Sequence, residues 1–165
     1  MSERNSFKDL IEEYHPMIYK ICRVYSTSVD FDDLYQEILI SVWKSLPSFQ
    51  GRSKLSTWLY RVVLNKAMTY QRDQKKYNAK VSIDHIVEMQ NEASDYQEKE
   101  QQINRLYSAI GQLNKTERSI ALLYLDEKTY EEIAEITGLT ISNVGVKINR
   151  LKKKLFQILK LTNNG

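Results

Sequence analysis

The sequence predicts an all-α protein of two small helical domains joined by a flexible acidic linker, on three observations. In 165 residues there are only five Gly and two Pro, and almost none of the alternation that marks a half-buried strand. Apolar residues recur instead at three-and-four spacing in two separate stretches, which sets the domains at 5–77 and 103–161. Between them, residues 78–102 carry Asp84, Glu88, Glu92, Asp95, Glu98 and Glu100, with too few regularly spaced apolar residues to fold unaided. An apolar content of 42% suffices for two small cores but not a large one.

The first helix shows its inward face as Phe7, Leu10, Ile11, Tyr14, Ile18, Ile21, Cys22 and Tyr25, with Pro16 expected to kink or split it. Asp30, Asp32 and Asp33 are expected to cap a second helix, since side-chain acceptors and negative charge are both favoured at a helix start. Leu34, Ile38, Val42 and Leu46 give that helix its buried face, and Pro47 with the following SFQGRS ends it. A third helix starts near Ser56, with Leu59, Val62, Val63 and Ala67 turned inward. In the second domain Ile103, Leu106, Ile110 and Leu113 mark one helix, and Ile120, Leu123 and Tyr124 another.

The last two helices lie in LDEKTYEEIAEITGLTISNVGVKINRLKKKL, residues 125–155. Thr129 and Glu132 form a T-x-x-E capping box, in which hydroxyl and carboxylate each satisfy an otherwise unpaired backbone N–H, worth about 1 kcal/mol. Gly138 follows at the spacing of a left-handed C-terminal cap, and Thr140 can cap the next helix at once. Small Ala134 stands where the two helices must cross. In the final helix Val144, Ile148, Leu151 and Leu155 form a stripe, while Ser142, Asn143, Lys147, Arg150 and Lys154 point away from it. A helix that reads DNA needs one anchored face and another offering amide, hydroxyl and cationic groups to base edges and phosphates. The competing reading is a solvated amphipathic helix; the capped helix and glycine turn before it favour DNA. Gly145 interrupts the pattern, since glycine inside a helix costs about 1 kcal/mol relative to alanine. Close approach to a phosphate, or mere tolerance, would account for it.

Charge is segregated although the net value is only +3. From Arg52 to Lys80 the cations Arg52, Lys54, Arg61, Lys66, Arg72, Lys75, Lys76 and Lys80 face the single acid Asp73, and no acid follows Glu135. Trp58, Tyr60 and Tyr70 are interspersed among those cations, a mixture that suits single-stranded nucleic acid, with Trp58 also expected to be partly core. A single cysteine, Cys22, permits neither an internal disulfide nor a cysteine-based zinc site. The N-terminus lacks an apolar signal region and no stretch reaches the roughly 18 apolar residues of a membrane span, so a cytosolic protein without direct membrane insertion is expected.

The stretch DFDDLYQEILISVWKSLPSF followed by FQGRSKLSTWLYRVVLNKAMTYQRDQKK closely resembles region two of the sigma-70 family, and residues from Leu113 to Leu155 resemble its region four. The size and the lack of a middle domain point to the extracytoplasmic-function (ECF) group of bacterial sigma factors. The resemblance implies a non-enzymatic sigma factor that confers promoter specificity on RNA polymerase core, without cofactor or metal. Its partners would be the polymerase β′ clamp helices and β subunit, promoter DNA and, in many relatives, an anti-sigma factor.

By the same resemblance Asp33, Leu34, Gln36 and Glu37 match the segment that docks on the β′ clamp helices. The loop Gln50, Gly51, Arg52, Ser53 and Lys54, with Ser56, Thr57, Trp58, Arg61, Asn65 and Lys66, matches the segments that open and read the minus-ten element. Thr140, Ser142, Asn143, Lys147, Arg150 and Lys153 fall on the helix that enters the major groove at the minus-thirty-five element. Asn143 and Gly145 stand where many relatives have Thr and Lys, so the relatives' base preference does not carry over. Phe31 and Asp32 are a further, minor departure.

Energetics agree with a large partner. A transcription bubble breaks on the order of ten base-pair steps at about 1.4 kcal/mol each, whereas a captured base returns about 1–3 kcal/mol. A chain of this size cannot melt DNA alone. Two rivals remain: a nuclease using Asp30, Asp32, Asp33 and Glu37 to hold metal, for which the only histidines, His15 and His85, offer little support, and a stand-alone dimeric helix-turn-helix regulator. The basic, aromatic third helix argues against the second, because dimer interfaces bury apolar rather than cationic surface.

Overall fold

The computed structural model describes residues 3–77 and 97–163, with side chains from 6–70 and 97–161. Among the described residues there is no strand, and the chain divides into two compact units. The first holds α1 (Glu3–Tyr25), α2 (Phe31–Ser45), a 3₁₀ turn (Leu46–Ser48) and α3 (Leu55–Tyr77). The second holds α4 (Gln97–Gly111), α5 (Lys115–Leu125), α6 (Tyr130–Thr137) and α7 (Ile141–Asn163).

In the first unit each helix packs on the other two. Ile18, Ile21, Cys22 and Tyr25 of α1 meet Leu34, Ile38 and Val42 of α2 and Leu59, Val63 and Ala67 of α3 in a closed core. Burial pushes the Cys22 thiol up to about 12, so it is an unreactive core residue. Helix α1 runs unbroken through Pro16. Pro16 and Glu12 are both exposed, so the carbonyl that loses its partner to the missing N–H lies on the solvent side, where the break is least costly. Asp30 occupies the N-cap position of α2 but does not cap it. Its Oδ1 instead accepts from the Thr27 N–H at 2.6 Å and the Thr27 hydroxyl at 2.7 Å, closing the α1–α2 turn. The acids of the first turn, Asp32 and Asp33, still favour the helix through its dipole.

In the second unit α7 packs on α4, α5 and α6. Ile110, Ile120, Leu123, Ile133, Val144, Ile148 and Leu151 are fully buried together. Both predicted features of α6 are present: the Thr129–Glu132 box at its start and Gly138 with φ +79° at its end. A second box, Asn114–Glu117, starts α5, and the Arg118 guanidinium donates to the carbonyls of Gly111 and Leu113, satisfying the end of α4. Gly145 of α7 faces the Tyr130 ring of α6: a Cβ added there would lie 3.5 Å from Tyr130 Cε2, an ordinary contact.

Helix α4 begins at Gln97, so residues 97–102 of the segment read as linker are helical. Glu, Gln and Lys are good helix formers and Glu98 and Glu100 suit the positive end of the dipole, yet Gln97, Glu98, Lys99, Gln101 and Gln102 are exposed and leave no apolar rhythm to read. Ile103, expected to start the core face of this helix, is exposed, and the buried residues of α4 are Ala109 and Ile110 nearer its end. The rest of that segment, 78–96, lies outside the described residues.

Candidate nucleic-acid interfaces

On α2, Gln36 is exposed and flanked by two carboxylates that α3 holds in place. The Tyr70 hydroxyl donates to Asp33 Oδ2 at 2.7 Å, and Lys66 Nζ lies 3.1 Å from Glu37 Oε2. Burial first, then the bond to Asp33 and the neighbouring acids, raises the Tyr70 phenol well above its ordinary range and keeps it a donor. Leu34 does not belong to this face: it is 0% exposed, at the centre of the core. The residue follows Asp33 by one position, and on a helix neighbours one apart do not share a side.

The loop after the 3₁₀ turn exposes Gln50, Gly51, Arg52 and Lys54, with Ser53 half-buried. Gly51 has φ +72°, a left-handed conformation that glycine adopts without strain. Phe49 and Trp58 pack with ring centroids 5.2 Å apart and pin the two ends of the loop together. Trp58 is therefore half-buried, as a partly core residue should be. Ser56 and Arg61 are half-buried and Asn65 is exposed beside them on α3. Lys66 is engaged by Glu37. Thr57, expected at the DNA, is 3% exposed, and Tyr60 and Tyr70, expected to stack on bases, are buried. Helix α3 packs on both α1 and α2, so it buries more of its circumference than a single apolar stripe suggests. The side chains of Arg72, Lys75, Lys76 and Lys80 lie outside the described residues.

On α7, the Asn143 N–H donates to Thr140 Oγ1 at 3.1 Å, so Thr140 caps the helix it was expected to cap. Ser142, Asn143, Arg150 and Lys153 are exposed and Lys147 is half-buried, while Val144, Ile148 and Leu151 are sealed beneath. Lys154 reaches across to Glu117 on α5, with Nζ–Oε distances of 3.0 and 3.2 Å. Burial alone would raise the Glu117 carboxyl, but Lys154, the Asn114 N–H and Lys147 together hold it below its ordinary value. Sequence reading missed this acid in the middle of a basic surface. The N-x-x-E spacing could have revealed it as a cap, but its partner 37 residues away has no local signal.

Among the described residues no group of His, Cys, Asp or Glu could hold a metal ion. The carboxylates of the nuclease alternative diverge: Asp30 turns to Thr27, Asp33 to Tyr70 and Glu37 to Lys66.

A helical body with an acidic face beside a cationic loop, followed by a capped helix-turn-helix with a cationic outer face, defines a two-part DNA-binding protein of the transcription machinery. The chain belongs to the sigma-70 family, in its ECF group: residues 10–77 match the family model for sigma-70 region 2, and residues 103–155 that for sigma-70 region 4. It is similar to the RNA polymerase sigma factor YlaC of Bacillus subtilis, with 29% identity over 94% of this chain and 92% of the relative. The ECF RNA polymerase sigma-E factor of Escherichia coli K12 is 28% identical over 93% of this chain and 86% of its own. In fold it resembles the sigma factor RpoE of Bartonella quintana, solved with the anti-sigma factor NepR, at a TM-score of 0.76 and 21% identity, covering 94% of this chain and 97% of that one. CnrH, solved with the cytosolic domain of CnrY, gives a TM-score of 0.68 at 19% identity, covering 97% of this chain and 91% of its own. The protein is a sigma factor that binds RNA polymerase core and directs promoter-specific transcription initiation. The dimeric-regulator reading is not favoured, since the N-terminal unit is sigma region 2 rather than a dimerisation module.

Proposed function

We propose that the two units divide the work as follows. The face bearing Asp33, Gln36 and Glu37 docks on the β′ clamp helices of the polymerase. The loop Gln50–Lys54 and the exposed part of α3, with Trp58, Arg61 and Asn65, engage the minus-ten element and a base displaced from its stack. Helix α7 reads the minus-thirty-five element in the major groove through Ser142, Asn143 and Arg150, with Lys147 and Lys153 on phosphates. The observation that carries this reading is the sealed underside of α7 beneath an exposed amide, hydroxyl and cationic surface, directly after a capped helix and a left-handed glycine.

The protein performs no covalent chemistry itself; catalysis belongs to the polymerase. It works in the cytoplasm, and no helix among the described residues is long and apolar enough to cross a membrane. An anti-sigma factor that covers these faces is the form of control we infer, by analogy with the RpoE relative bound to NepR. The division of roles is tested by transcription from a promoter library with bacterial core polymerase and the purified protein. Starts that share two upstream motifs at fixed spacing are expected, and a variant carrying Arg150→Ala should lose dependence on the upstream motif alone. Start sites without a shared upstream motif would overturn the assignment of α7.

A further inference from the structure

Val146 lies almost diametrically across α7 from the buried stripe of Val144, Ile148 and Leu151. It is 45% exposed, and its neighbours one turn before and after, Ser142, Asn143, Asn149 and Arg150, are all exposed and polar. Its side chain lies outside the buried core. A β-branched residue in a helix has a lower propensity than alanine, so without burial it brings the fold no gain. Other exposed apolar residues of α7 differ in position: Ile141 begins the helix toward its packed side, and Phe156 and Leu161 lie beyond its reading end.

A side chain at this place faces the centre of the groove if α7 is the reading helix. The major groove offers one apolar group among its donors and acceptors, the 5-methyl of thymine. We propose that Val146 reads a thymine 5-methyl in the upstream promoter element, as the apolar member of a set whose polar members are Ser142, Asn143 and Arg150. Its two methyls are held by a stiff χ1, so contact costs little side-chain freedom. The inference rests on the reading of α7 given above and adds the base chemistry that this chain would select.

The test uses full-length protein bound to bacterial core polymerase and a promoter from the library. Each thymine of the upstream element, on either strand, is replaced in turn by deoxyuridine, which lacks only the methyl. The native protein should lose about fourfold in affinity at one position, the value of one buried methyl. Val146→Ala, at an exposed site where alanine is the better helix former, should bind the thymine promoter about fourfold more weakly and show no further loss with deoxyuridine. Indifference to deoxyuridine at every position, a full penalty retained by Val146→Ala, or an upstream element without A·T pairs would overturn the inference. Arg150→Ala in parallel separates the two levels. If Arg150→Ala keeps full dependence on the upstream motif, α7 is not the reading helix; if it abolishes that dependence while deoxyuridine has no effect, only the role of Val146 falls.

Discussion

Replacing Glu117 should destabilise the second unit and leave the first unchanged. The carboxylate has two tasks: it accepts from the Asn114 N–H at 3.2 Å to complete the α5 capping box, and it receives Lys154 at 3.0 Å. Loss of such a cap costs about 1 kcal/mol, and an ion pair whose lysine is largely in solvent adds about 0.2–1 kcal/mol. Glu117→Ala should therefore lose about 1–2 kcal/mol, or about 5–15 °C in the melting temperature of a domain this size. Glu117→Gln keeps an acceptor for the box and should lose only the ionic part. Both tryptophans, Trp43 and Trp58, are in the first unit, so tryptophan fluorescence follows that unit while far-UV circular dichroism follows both. The expected result is an earlier transition by circular dichroism with an unmoved fluorescence midpoint. The folded carboxyl titrates below its unfolded value, so its contribution is complete above the unfolded pKa of about 4.3 and is lost as pH falls through the lower folded value. Wild-type protein should thus lose more stability on acidification below about pH 4.5 than Glu117→Gln does. A shared shift of both probes, or no shift with Glu117→Ala, would refute the reasoning.

Gly145→Ala should raise the second unit's stability by up to about 1 kcal/mol, because the added Cβ makes ordinary contact with Tyr130 and the helix gains propensity; a lower melting temperature would contradict this. Lys147→Ala or Lys153→Ala should weaken binding across all promoter sequences and reduce the salt slope by about one, whereas Asn143→Ala should alter base preference, measured by competition at several salt concentrations. Leu34→Ala should cost about 2–5 kcal/mol in the first unit by leaving a cavity. Gln36→Ala should leave the fluorescence transition unmoved and weaken association with core polymerase, read by titration of labelled protein.

Much of the second unit was legible because its signals are local. The Thr129 box, Gly138 and Thr140 each act within four residues, and the stripe Val144, Ile148 and Leu151 needs only helical periodicity. The first unit was read less well where the outcome depends on a neighbour. Thr57 and Tyr60 lie to one side of the Leu59, Val63 and Ala67 stripe on a helix that packs against two others, which the stripe alone does not announce, whereas Tyr70 follows Val63 by seven residues and continues the stripe, so its burial could have been read from the periodicity. Asp30 looked like a cap by position, but Thr27 offered two donors in the preceding turn. Leu34 entered the docking segment through family resemblance, which assigns roles to stretches of chain and does not separate the outward residues from the inward ones.

The separate start signals of α5, α6 and α7 also bear on how such proteins diverge. Helix limits are set by Asn114, Thr129 and Thr140 and the core by residues sealed beneath, so Ser142, Asn143, Val146, Asn149 and Arg150 are free of structural duty. A lineage can exchange them one at a time and pass through folded intermediates at every step. Where these side chains read the promoter as proposed, duplicated copies could come to serve different sets of genes while still competing for the same polymerase.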